Sequence, residues 1–157
     1  MENKNNSEIM HKDFTLISAG AGLKEAFEAI QKNLEGAAYS PDLVVLDEQE
    51  RCAGVLTVDD FSKELGMLYH DACDQSGKRD WADSFFNQCE IAGVRKVSEI
   101  MSGKDATVAA GDDFDTACQL ILGHNLKMVP VVDKGSQVVG IITREKILQE
   151  LGPKMFR

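Results

Sequence analysis

The chain has 157 residues, with 26 acidic against 17 basic side chains, a formal charge of −9 at pH 7 and a pI near 4.8. That balance argues against nucleic acid or an anionic membrane as the main partner, since both reward clustered Lys and Arg, although an acidic protein can still hold one phosphate locally. Cys52, Cys73, Cys89 and Cys118 form no Cys-x-x-Cys pair, and His11, His70 and His124 lack ligand spacing, which disfavours a disulfide framework or a metal site. With no leader or long apolar run in view, a cytoplasmic protein with reduced, packed thiols is expected.

In chain order, Ser7-Glu8-Ile9-Met10 precedes a short extended run, Thr15-Leu16-Ile17. Leu23, Ala26, Phe27 and Ile30 then recur at helical spacing, which predicts an amphipathic helix. Leu43-Val44-Val45-Leu46, the polar turn Asp47-Glu48-Gln49-Glu50 and Ala53-Gly54-Val55-Leu56 read as an antiparallel hairpin. Past Thr57, Asp59-Asp60-Phe61 begin a closing helix with carboxylates at its positive N-terminal end.

A linker over 66–97 follows. Residues 75–80 are polar and offer nothing to bury, which predicts a mobile loop there. Trp81, Phe85 and Cys89, with Ala82 and Phe86, predict a helix over about 80–92, with Asp80 as its N-cap.

The same order then repeats. Ser98-Glu99-Ile100-Met101 leads to Thr107-Val108, and Phe114, Ala117, Cys118 and Ile121 mark a second helix ending near Gly123 to Asn125. Val129-Pro130-Val131-Val132, the turn Asp133-Lys134-Gly135-Ser136 and Val138-Val139-Gly140-Ile141-Ile142 form a second hairpin, and Arg144-Glu145-Lys146-Ile147 open a second closing helix. Ser98 and Ala117 stand 91 residues after Ser7 and Ala26, whereas Asp133, Gly140 and Thr143 stand 86 after Asp47, Gly54 and Thr57. The halves are colinear, and the first carries five extra residues between its helix and its hairpin, around Ala37-Ala38-Tyr39-Ser40-Pro41. Two units result, over 7–65 and 98–151; each is too small to be stable alone and is expected to pack on its twin.

Thr57 and Asp60 stand at a strand-to-helix junction, where free N–H groups favour a phosphate, a hydroxyl can donate, and a carboxylate can accept from both hydroxyls of a ribose. The same two residues equally suit a helix cap. In the second unit Lys146, not an acid, stands three beyond Thr143, and Glu145 is one position early, so Lys146 or Arg144 is left available for a phosphate and the two sites are expected to differ. No nucleophile–base pair or Gly-rich phosphate loop is visible, so the chain reads as non-catalytic.

Strand, helix, strand, strand, helix in tandem, each hairpin ending in Gly-apolar-apolar-Thr, resembles the CBS domain, usually found in pairs called Bateman modules. The likeness is strongest from Met128-Val129-Pro130-Val131-Val132-Asp133 through Gly140-Ile141-Ile142-Thr143; in the first unit Val44 stands where the family often has Pro. The resemblance implies an α+β fold of two βαββα units packed by pseudo-twofold symmetry, with an extra linker helix, dimerising through helices into a flat disc. It also implies ATP, ADP, AMP, S-adenosylmethionine or NADH in the clefts between the units. Thr57 would then take phosphate and Asp60 ribose, with Ser40, Asp42 and Leu43 as the adenine slot and Thr15 nearby. The corresponding set in the second unit is Thr143, Arg144 and Lys146 with Met128, Val129, Pro130 and Thr107. The five extra residues would reshape or fill the first slot. Function would be regulation of an unknown partner by an adenosyl ligand; the alternative is an interaction module with degenerate clefts and self-association as its whole role.

Overall fold

The 86-residue offset between the two hairpins corresponds to two sheets of one construction in a computed structural model that describes residues 4–156. In the first, β1 (Thr15–Ser18) runs parallel to β2 (Leu43–Leu46), which pairs antiparallel with β3 (Cys52–Leu56). In the second, β4 (Val108–Ala109), β5 (Met128–Val132) and β6 (Val138–Thr143) repeat that order. The register slips once at the same place in each hairpin, between Val45 and Leu46 and between Val131 and Val132. The turns match as well. Asp47 accepts from the N–H groups of Gln49 and Arg51, and Asp133 from those of Gly135 and Gln137, which lets Glu50 and Ser136 turn at φ 62°.

Six helices lie among the described residues: α1 (Asn6–Ile9), α2 (Leu23–Glu35), α3 (Val58–Ser76), α4 (Trp81–Ala92), α5 (Asp115–Gly123) and α6 (Arg144–Met155). Leu23, Ala26 and Ile30 place one stripe of α2 on the first sheet, while Phe27 sits at the margin, 46% exposed, against the ring of Phe61. Helix α5 ends where expected, with Asn125 at φ 54°. Two expectations need correction. The loop expected over 75–80 starts later, because the closing helix α3 runs unbroken to Ser76, its stripe with Phe61 and Ala72 buried continuing into contact with α4. Asp80 precedes α4 but its side chain makes no capping bond; its backbone is outside the extended region a cap requires. Trp81, Phe85 and Tyr69 instead join α3 to α4 edge to face.

The repeated Ser-Glu-Ile-Met segments exchange places. Asn6 and Ser7 donate backbone N–H bonds to Asp112 and Ala110, Asn6 Nδ2 donates to Ala109 O and Thr116 Oγ1, and Ile9 enters the core of the second unit. Reciprocally, Val97 and Ser98 donate to Ala21 and Ala19, and Val97, Ile100 and Met101 complete the core of the first. Each segment then crosses the other unit's hairpin, His11 bonding Ile141 in both directions and Ser102 bonding Val55 in both directions. The crossing explains the glycine of each Gly-apolar-apolar-Thr motif. A Cβ on Gly54 would stand 2.7 Å from Ser102 O, and one on Gly140 2.9 Å from His11 O. Val44, Val55, Met128 and Ile141 form a third core between the sheets, and there Val44, at the family's Pro position, is fully buried.

Candidate functional site

Two clefts open beside this third core, and α3's N-terminus divides them. Thr57 has the extended backbone of an N-cap: its Oγ1 accepts from Asp60 N–H at 3.1 Å, and Asp60 Oδ2 accepts from Thr57 N–H at 2.9 Å. The cap and the ligand reading are compatible. The Thr57 hydroxyl keeps its proton to donate, and Asp60 Oδ1 has no bond to any described residue; Oδ2 also accepts from Ser102 Oγ at 2.9 Å, joining α3 to the crossing segment.

The first cleft, about 250 Å³, has Thr57, Asp60 and Lys63 on one side and Ser102, Ala106 and residues 125–128 on the other. The second, about 190 Å³, sets Thr143 and Arg144 against residues 39–42. Each cleft therefore pairs the helix start of one unit with the strand start of the other. The within-unit grouping expected from the sequence is corrected: Thr57 and Asp60 face Met128, while Thr143 and Arg144 face Ser40 and Asp42. The exchanged segments cause this by bringing each hairpin's far end to the other unit.

Several sequence candidates lie outside the clefts. Thr15 Oγ1 donates to Asn33 at 3.2 Å, Thr107 precedes β4, and Leu43, Val129 and Pro130 are buried in the sheets. Lys146 caps through its own N–H to Thr143 Oγ1 and sends its ammonium to Glu150 at 3.4 Å, away from the cleft. Arg144 lines the second cleft but donates to the carbonyls of Leu126 and Asn125. Glu150 also accepts from Lys4 at 3.1 Å; that hydrogen bond holds its carboxyl below the usual range. The five extra residues shape the cleft that holds Ser40 and Asp42, which is the second: Tyr39 lines it and stacks on His11 at 3.3 Å between centroids. Burial, and then the Lys146 charge, push His11's pKa down.

Asp42 is 7% exposed and its Oδ1 accepts from Val58 N–H at 2.8 Å, so this carboxylate already sits at the start of α3. The equivalent N–H in the second unit, Arg144's, goes to Lys127 O at 2.9 Å. Burial raises the Asp42 pKa, opposed by the Val58 bond and by Lys127. A raised folded-state pKa means the ionised carboxylate is less at ease folded than unfolded, so stability falls as pH climbs above the usual carboxylate range. Asp42→Asn keeps an acceptor for Val58 and loses that dependence. Its melting temperature relative to wild type is therefore expected to rise between pH 4 and pH 7, as read by thermal melts.

Ser102, Lys63 and Lys127 line the clefts without being sequence candidates. Ser102 directly follows a repeated motif, a signal that adjacency supplies; for Lys63 and Lys127 only the fold brings them together.

The sequence profile of the CBS domain matches residues 7–66 and 97–153. An uncharacterised protein of Methanocaldococcus jannaschii, MJ1225, is 26% identical over 153 residues, covering 94% of this chain and 47% of that one, so the chain spans about half of that relative's length. Among solved structures, the CBS domain pair of protein MJ0100 in complex with 5′-methylthioadenosine and S-adenosyl-L-methionine superposes with TM-score 0.67 at 21% identity, covering 98% of this chain and 99% of that one. CBSX2 in complex with AMP gives 0.65 at 16%, covering 95% and 96%. The cytosolic domain of the Mg²⁺ channel MgtE in complex with ATP gives 0.66 at 22%, covering 96% of this chain and 50% of that one. With two profile matches over most of its length and the exchanged two-sheet architecture, this chain belongs to the CBS-domain family and carries two such domains in tandem.

Proposed function

We propose that the chain is a non-catalytic regulatory module that binds an adenosyl ligand in the first cleft and passes its occupancy to a partner protein. The carrying observation is convergence: a free carboxylate oxygen on Asp60, the Thr57 hydroxyl, the ammonium groups of Lys63 and Lys127, and an apolar wall of Val55, Ala106 and Met128 share one cavity. Ribose on Asp60, phosphate toward Thr57 and the lysines, and adenine against Met128 is the pose this chemistry favours. Structures of the same fold holding AMP, ATP and S-adenosylmethionine support that ligand class. A ligand shifts the angle between the units only by binding one arrangement better than the other. Asp60, bonded to Ser102 of the crossing segment, lies where such a difference would be felt.

A second reading, an interaction module with degenerate clefts, draws on Tyr39 and Asp42 occupying the second cleft and on exposed Phe86, Ile91 and Val94 along α4 and just after it. Those residues fit self-association through helices into a homodimer.

Thermal melts with AMP, ATP and S-adenosylmethionine separate the two. Ligand at a hundred times its Kd adds about 2.7 kcal/mol, a rise of roughly 5–11 °C at this size. Asp60→Ala is expected to lower the unliganded stability by about 1 kcal/mol, through loss of the acceptor for Thr57 N–H and Ser102 Oγ, and to abolish the ligand shift. A flat wild-type response to all three ligands supports the interaction module instead.

A further inference from the structure

Lys127 lines both clefts, and no other described residue does. Its backbone carbonyl accepts from Arg144 N–H at the start of α6, on the side of the second cleft, while its ammonium reaches Asp59 Oδ1 at 3.1 Å on the side of the first. The Asp59–Lys127 pair therefore stands as the partition between the two cavities. Cations are scarce around it. In the first cleft Lys63 and Lys127 face Asp59 and Asp60, and in the second Arg144 and Lys127 face Asp42 and Glu145. Arg144 is already committed to two carbonyls and Lys63 lines only the first cleft, so Lys127 is the mobile positive charge that both clefts border. Lysine suits that use, being a point charge on a flexible stem rather than a fixed fork.

We infer that the two clefts compete for the single ammonium of Lys127, so that an anionic ligand in one weakens anionic binding in the other, whereas an uncharged adenosyl ligand escapes the competition. This rests on the adenosyl-ligand reading above and adds to it a regulation that sequence symmetry would not suggest. The first anion to bind draws Lys127 from Asp59 into its own phosphate; the second binds with no cation from this source. Removing the ammonium should then weaken only the first event.

Isothermal titration of AMP and of adenosine into wild type and Lys127→Met tests it. Methionine keeps the unbranched stem, and the backbone bond to Arg144 is untouched, so the unliganded melting point serves as the folding control. In wild type AMP is expected to bind in two events at least tenfold apart. In Lys127→Met the first event weakens about tenfold, in keeping with loss of one charged hydrogen bond, the second is unchanged, and the adenosine isotherms coincide. Weakening of both AMP events equally, or of neither, overturns the sharing of Lys127 and leaves the adenosyl-ligand reading standing. Absence of binding by both AMP and adenosine in wild type overturns both.

Discussion

Replacing Gly54 with alanine is expected to destabilise the protein by about 3 kcal/mol and to lower its melting point by roughly 6–12 °C. The added Cβ would meet Ser102 O at 2.7 Å, and that oxygen cannot retreat, because it accepts from Val55 N–H at 2.8 Å while Ser102 N–H donates back to Val55 O at 2.9 Å. Overpacking alone costs about 1–3 kcal/mol, and forcing the pair apart gives up two backbone bonds at about 1 kcal/mol each. The consequence reaches function, because Ser102 Oγ donates to Asp60 and Ser102 is a wall of the first cleft. Ligand binding by Gly54→Ala should fall along with its stability. Gly140→Ala is expected to be milder: there the nearest obstacle is the end of the flexible Met10 side chain, with the fixed His11 carbonyl at 2.9 Å. Calorimetric melts of the two variants side by side check both the magnitude and the order.

The second large effect comes from a charge at the base of the linker. Glu64 is 6% exposed on α3, and its Oε1 pairs with Arg95, which follows α4 and also approaches Glu99 at 3.8 Å. Removing one partner of a buried pair leaves the other without compensation, at about 3–5 kcal/mol. Arg95 is 38% exposed, so water takes over part of its role and about 2–3 kcal/mol is expected for Arg95→Met. The apolar double variant Glu64→Met with Arg95→Met should recover most of that loss, since it removes the stranded carboxylate. A double variant that is less stable than Arg95→Met alone would show instead that Glu64 contributes through bonds other than this pair.

Much of the fold is legible in the residues, because periodicity and turn chemistry act locally. The run at 43–46 forms a strand with those bounds, and the Asp47 and Asp133 turns close in the same way. The exchange of the Ser-Glu-Ile-Met segments is not legible, since constant offsets report colinearity and are silent on which unit a segment packs against. The site inherits that blind spot. Thr57, Asp60, Met128, Ser40 and Asp42 all line clefts, but their pairing across the units depends on the exchange. The mismatch between Asp60 and Lys146 pointed to unequal clefts, while the geometry adds the reason on the second side: Lys146 turns to Glu150 and Tyr39 fills space beside His11. The reach of α3 to Ser76 was hidden because its later turns are supported by α4, a tertiary contact.

Under the proposed function, Thr57 and Asp60 of the first unit and residues 102–106 and 125–128 of the second build one adenosyl site. Backbone amide shifts followed by NMR during titration with AMP test it most directly. At the first equivalent the largest changes are expected together at residues 55–63, 102–106 and 125–128. First-equivalent changes confined to residues 39–43 and 143–146, or no changes at millimolar AMP, would contradict it.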